Sequence, residues 1–203
     1  MRQFWNMSRQ MTRVLWTLCL VQFASPVESF ERILGHGGPV KDVTLAPDGD
    51  LLASVSFDYS IVLWNPVTFQ EKHRLIGHKA SVVTAAFSPD GRFLATGGDD
   101  FQALVWDLIA IRAGADVRPV AQFPHHGKIS HLAISPDSKL LATASWDGSL
   151  RLWSLQDMRS VGEFRGHVGA VHAVQFIEGG DKIISGGRDG HIRLWSVAEM
   201  GYI

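Results

Sequence analysis

The chain has one cysteine in 203 residues, Cys19. A lone cysteine closes no internal disulfide, and it supplies neither a cysteine-type zinc site nor the Cys-x-x-Cys-His of a haem attachment. An excess of either charge is also missing: 19 Lys and Arg stand against 20 Asp and Glu, interspersed, for a net of −1. Nucleic-acid binding wants a basic face or stripe, so a nucleic-acid partner is not expected. No hydrophobic run is long enough for a stable membrane span. The longest, Val14 to Phe23, has ten residues, about half of the roughly 20 that a spanning helix needs. The alternating acidic spacing of an EF-type calcium loop is absent, as is the Gly-x-Ser-x-Gly of a nucleophile elbow. What abounds is punctuation. The 20 glycines and 8 prolines, many in Pro-Asp-Gly or Asp-Gly groups, call for many turns and little helix.

The first 29 residues differ from the rest. Arg2, Arg9 and Arg13 precede the apolar run, and Ala24-Ser25-Pro26-Val27-Glu28-Ser29 follows it. A basic start, a short apolar run and small residues at Val27 and Ser29 read as a secretory signal cut after Ser29. The alternative is an uncleaved signal that anchors the chain to the membrane. Met7 and Met11 offer later starts, and Met11 leaves the tidier basic region. Leu18 before Cys19 is too large for a lipoprotein signal. After cleavage the chain would hold no cysteine at all.

The remainder, residues 30–203, repeats one polar phrase four times: His, then Ser or Thr 18 residues on, Asp at 22 and Trp at 28. The sets are His36/Ser54/Asp58/Trp64, His78/Thr96/Asp100/Trp106, His125/Thr143/Asp147/Trp153 and His167/Ser185/Asp189/Trp195. The repeats start 42, 47 and 42 residues apart and run over about 34–75, 76–122, 123–164 and 165–203. That spacing matches the roughly 40–45 residues of a four-stranded propeller blade and exceeds the roughly 33–34 of ankyrin or TPR units.

Within each repeat, short β-rich runs alternate with turn signals, which predicts an all-β chain. Val40–Leu45 leads to Pro47-Asp48-Gly49 and then to Leu51-Leu52-Ala53-Ser54; Ile61-Val62-Leu63-Trp64 follows the turn at Asp58. A polar, edge-like run such as Gln70–Leu75 supplies the fourth strand, its charges discouraging pairing with other chains. The third repeat begins late because Leu108 to Val120 is longer, and this stretch reads as a surface loop.

Gly-His at 35–36, 77–78 and 166–167, with Trp-Asp at 106–107, resembles the WD-repeat β-propeller family. The resemblance covers about residues 30–203. It implies that each His/Ser or Thr/Asp/Trp set forms a buried relay tying one blade together: indole N–H to hydroxyl, hydroxyl to His, His to Asp. The donor-only indole and acceptor-only carboxylate suit the two ends of such a chain. Two departures stand out. Pro124 replaces the Gly before His125, and the Asp after Trp survives only at Asp107. Four sets are fewer blades than a WD-repeat ring usually has, so the fold class expected is an incomplete propeller. Its open blade edges would favour self-association or a covering partner.

The His-Ser-Asp content imitates a catalytic triad, but a nucleophile would occur once and these sets recur with a Trp attached. No enzyme, metal site or cofactor is therefore expected. His126 and His131 lie near one another in sequence, yet no Cys or paired carboxylate joins them at ligand spacing. Protein binding is the better expectation. Related propellers use one face, at the residues three and five after each His and just before each Asp. The charged and aromatic residues there are Lys41, Phe57, Asp99, Lys128, Trp146, His172 and Arg188. Trp and Arg are enriched at binding hot spots.

The reading is thus an exported, periplasmic or secreted, non-catalytic protein-interaction scaffold. A second resemblance keeps an alternative open. Behind a signal peptide, Gly-His-Gly-Gly-Pro-Val-Lys, Ser-Phe-Asp-Tyr-Ser and Ala-Ser-Trp-Asp-Gly resemble bacterial exported proteins that fuse WD repeats to a c-type cytochrome. This chain would be their propeller portion, an electron-transfer partner whose haem domain lies elsewhere.

Overall fold

The computed structural model describes residues 35–115, 117–199 and 201–202. The signal segment 1–29, Cys19, the cut after Ser29 and the strand-like Phe30–Leu34 lie outside the described residues. The rest forms four antiparallel sheets of four strands each, every one a meander in chain order. The first holds β1 (Val40–Leu45), β2 (Leu52–Ser56), β3 (Ser60–Trp64) and β4 (Glu71–Ile76). The second holds β5 (Val82–Phe87), β6 (Phe93–Gly98), β7 (Gln102–Asp107) and β8 (Ala121–Pro124). The third holds β9 (Ile129–Ile134), β10 (Leu140–Ser145), β11 (Ser149–Ser154) and β12 (Arg159–Arg165). The fourth holds β13 (Val171–Ile177), β14 (Lys182–Gly187), β15 (Ile192–Ser196) and the short β16 (Gly201–Tyr202). These are the propeller blades that the repeat implies.

Local chemistry explains the meander. Pro-Asp-Gly closes the first turn of two blades, and Gly49 and Gly91 adopt φ of 73° and 71° there. Glycine enters this left-handed region without steric cost. In the third blade Ser138 takes the same conformation at φ 62°. The middle strands are apolar on both sides; every residue of β3 and of β6 is buried. The outermost strands β4 and β12 are mostly exposed and carry charges, as in Glu71-Lys72-His73-Arg74 of β4.

Adjacent blades pack through their innermost strands, β1 on β5, β5 on β9 and β9 on β13. The core lies in these seams. Ala53, Val55, Ile61 and Leu63 of the first blade meet Val82, Phe87, Leu104 and Trp106 of the second. Among the described residues no such packing joins β13 back to β1, so the ring is open.

One expectation is corrected. The stretch after Trp106 is not all loop, because Leu108–Arg112 forms a short helix, α1. Asp107 caps it, accepting from the N–H groups of Ile109 at 2.9 Å and Ala110 at 3.2 Å. Leu108 and Ile111 turn into the seam between the first two blades. Arg112 then reaches back to Asp48 at 3.0 Å and Asp50 at 2.8 Å on the first blade. The extra residues form a clasp between blades.

Candidate interaction face and the buried relays

Each polar set is brought together by the sheet register. Ser54 pairs across strands with Val62, and Thr143 with Arg151, which leaves the following Trp one diagonal step from the hydroxyl. The indole N–H of Trp64 donates to the Ser54 hydroxyl at 2.8 Å, Trp106 to Thr96 at 3.0 Å, Trp153 to Thr143 at 2.9 Å and Trp195 to Ser185 at 2.8 Å. The same hydroxyls lie 2.7, 2.9, 2.7 and 2.8 Å from Nε2 of His36, His78, His125 and His167. Nδ1 of each His meets its Asp, at 3.1 Å for Asp58, 2.9 Å for Asp100, 3.1 Å for Asp147 and 2.9 Å for Asp189. A carboxylate only accepts and an indole only donates. In the first three sets the hydroxyl therefore gives its proton to Nε2 and Nδ1 carries the ring proton, whereas in the fourth the Arg193 guanidinium also lies 2.8 Å from Nδ1 of His167.

The carboxylates are further satisfied by backbone. Asp58, Asp100, Asp147 and Asp189 accept from the N–H of Gly37, Lys79, His126 and Val168, and again from the residue two places on. Burial alone would raise their pKa values. For Asp147 the hydroxyl and N–H of Ser149, the N–H of His126 and the His125 bond outweigh it and hold the acid far below its usual range. Asp100 is lowered in the same contest, chiefly by His78. Burial pushes the His125 imidazole below its ordinary range, against the pull of Asp147. A neutral imidazole between a hydroxyl and a carboxylate imitates a triad. Here the hydroxyls of Thr96 and Thr143 are buried and already shared with an indole. The arrangement is a structural clamp.

The motif's small residues follow from the indole. A Cβ at Gly77 would lie 2.9 Å from the Trp106 ring, and one at Gly166 2.9 Å from the Trp195 ring. In the third blade Pro124 stands at this place, and Trp153 instead stacks on Phe123 with ring centres 4.6 Å apart and planes 10° apart. Several participants went unnoticed in the sequence, among them the hydroxyls of Ser60 and Ser149, which donate to Asp58 at 2.7 Å and Asp147 at 2.6 Å. Arg193 donates to Asp189 at 2.6 Å, and Arg151 to the Pro124 carbonyl at 2.6 Å. The available signal was an Arg two residues before Trp in the last two repeats.

At one end of the blades the candidate partner residues sort into a row and outliers. Asp99 of the second blade pairs with Lys128 of the third at 2.8 Å. The Lys128 ammonium lies 5.7 Å from the Trp146 ring, and Trp146 meets His172 of the fourth blade edge-to-face at 6.1 Å. Four of the seven residues thus form a continuous line across three blades. Trp146 remains 55% exposed at its centre. Lys41 and Phe57 make a pair of their own on the first blade, the ammonium 5.2 Å from the ring. Arg188 is anchored by its backbone N–H to the Ala170 carbonyl at 2.8 Å.

A family described as TEP-1 second beta-propeller matches residues 23–202. The chain belongs to this WD-repeat propeller family. The solved structure of U3-55K superposes with a TM-score of 0.75 at 25% identity, covering 84% of this chain and 53% of that one. Protein HIR1 of Candida albicans is 37% identical over 41 residues, 20% of this chain and 4% of that protein. Protein hir-1 of Neurospora crassa is 41% identical over 49 residues, 23% of this chain and 5% of that protein. The WD-repeat chain therefore spans only a small part of the length of these curated relatives.

Proposed function

We propose that the chain is a non-catalytic protein-interaction scaffold that engages its partner along the Asp99–Lys128–Trp146–His172 row. The observation that carries this reading is Trp146, a large ring left over half exposed where its neighbours hold it in place by a cation and an imidazole edge. Tryptophan so presented offers large contact area with little conformational freedom to lose, the property of a binding anchor. Lys41 and Arg188 lie on the same end of the blades and have no carboxylate partner among the described residues. A protein segment that brings an apolar side chain to Trp146 and carboxylates to these two cations matches the face. Pull-downs with the parent, Trp146→Ala and Phe57→Ala test it. Affinity for the partner should fall by about thirtyfold for Trp146→Ala, as for a hot spot of roughly 2 kcal/mol. Unchanged recovery with both variants overturns the assignment.

The proposal extends to location. Residues 1–29 act as an export signal cut after Ser29, leaving residues 30–203 as the working propeller region. N-terminal sequencing of exported protein should begin at Phe30; a retained Met1 or Met11 defeats this. The reading as the propeller portion of an exported c-type cytochrome rests on short phrases of sequence alone.

A further inference from the structure

The first two seams between blades differ at the end opposite Trp146, where the first turn of one blade meets the last turn of the next. In the first seam the chain fills this place itself. Leu108 and Ile111 of α1 turn in, and Arg112 sets its guanidinium on Asp48 at 3.0 Å and Asp50 at 2.8 Å. The second seam is built alike as far as Leu155. The Leu155 N–H donates to the Lys139 carbonyl at 2.8 Å, as that of Leu108 donates to the Arg92 carbonyl at 2.8 Å. Beyond this point the likeness ends. Met158 follows Leu155 at the spacing at which Ile111 follows Leu108, but Arg159 begins β12 and pairs with Asp157 at 3.4 Å. Among the described residues no arginine of this turn crosses back to the second blade.

What remains is a recess of about 350 Å³, the size of a small ligand pocket. Phe93, Val120, Leu155 and Met158 give it apolar walls. Five charged side chains line it, and four are paired: Arg92 with Asp107 at 3.8 Å, and Lys139 with Asp137 at 3.3 Å. The fifth is Asp90, which holds in the second repeat the place of Asp48 in the first. Its backbone N–H donates to the Ser138 hydroxyl at 3.0 Å, which sets the turn against the third blade. Its carboxylate accepts from the Ser88 hydroxyl and the Arg92 N–H, both on Oδ1. No cation reaches it among the described residues, so Oδ2 stays open and the recess carries one unanswered negative charge beside an apolar wall.

We propose that this recess docks a protein segment bearing an arginine next to an aliphatic side chain, the guanidinium on Asp90 and the aliphatic group against Val120 and Met158. The first seam shows the chemistry of the occupant, because Ile111 and Arg112 play this part there within the chain. A guanidinium suits the place, being a weakly hydrated cation that bonds well to carboxylates at interfaces. Arg92 stands where the first blade has Asp50, but it is turned to Asp107 and lies over the Phe93 ring at 4.7 Å. The surface is separate from the row at Trp146 and does not depend on it.

The probe is the chain's own clasp, the peptide Leu-Ile-Ala-Ile-Arg capped at both ends, titrated to millimolar concentration into the isotope-labelled full chain. Amide NMR shifts should centre on Asp90, Arg92, Ser138 and Lys139. Replacing the peptide's arginine by glutamate should weaken binding about tenfold or more, as for loss of a hydrogen bond to a charged group. Asp90→Asn should do the same to the parent peptide, and it keeps an oxygen for Ser88 and the Arg92 N–H. Arg92→Asp rebuilds the acidic pair of the first blade and should tighten binding about threefold, the scale of an exposed ion pair. A role for Asp90 confined to its own turn would give no such gain. Absence of shifts at these amides, equal binding of the glutamate peptide, or an affinity unmoved by both substitutions overturns the proposal.

Discussion

At the scale of single residues, the hydroxyl of Thr96 shows how the clamp works. It accepts from Trp106 and donates to His78, so one oxygen satisfies two buried groups. Thr96→Val keeps the shape and strands both partners. At roughly 1–3 kcal/mol for each unsatisfied group, urea unfolding should register a loss of about 2–6 kcal/mol. Thr96→Ser, which keeps the oxygen, should cost much less. If the two cost the same, the hydroxyl is not the clamp. Protons act on the same sets. The folded pKa of His125 lies below the ordinary 6.5, so the unfolded chain takes up the proton first and stability falls as pH drops through that value. The folded pKa values of Asp100 and Asp147 lie below the ordinary 3.8, so their contribution is full above that pH and is lost as the solution becomes more acid. Melting temperature should therefore fall on acidification in two stages. A flat profile across the histidine range would refute the first. The sixteen members of the sets were legible because a fixed register demands fixed offsets. Arg151 and Arg193 were not, because they occupy only two of the four repeats.

Elements follow local rules more loosely. The stretch from Leu108 reads as loop because five helical residues are too few to show a period. Asp107, the one place where Trp-Asp survives, makes the difference by capping the turn. Asp107→Ala should cost about 1 kcal/mol, the usual value of an N-cap. Urea unfolding checks it; no change would mean that burial of Leu108 and Ile111 holds the helix without a cap. The turn after each relay Asp shows a similar freedom. Gly148 and Gly190 take φ of 83° and 75° there, while Tyr59 and Phe101 accept 72° and 68° in the first two blades. Position, rather than residue type, sets the backbone, because the Asp carboxylate fixes the N–H two residues on. Pro124 likewise looked like a break in the motif, and its physical meaning appeared only with Phe123 stacked on Trp153.

In the molecule as a whole, the open array gives its blades unequal cover. Among the described residues the second and third blades have neighbours on both sides, and the first and fourth on one. Opening free energy follows local burial. Hydrogen exchange of a dilute, single-chain sample should then be slowest in β6, β7, β10 and β11 and faster in β1 and β15. Equal protection in all four sheets would contradict this gradient.

The sequence by itself determined the blade, the number of blades in this chain and the four relays. These rest on contacts made inside one repeat, where short turns fix which residues meet. It also marked the end of the blades that bears Trp146, since that place is tied to the motif. Only the tertiary structure decided which candidates stand together, because Asp99, Lys128, Trp146 and His172 come from three different blades. Only it showed the helix clasp of Arg112 on Asp48 and Asp50, more than sixty residues apart. The recess at Asp90 belongs to it as well. The turn around that residue is ordinary, and the opening beside it depends on what the next blade brings rather than on anything written locally in the chain.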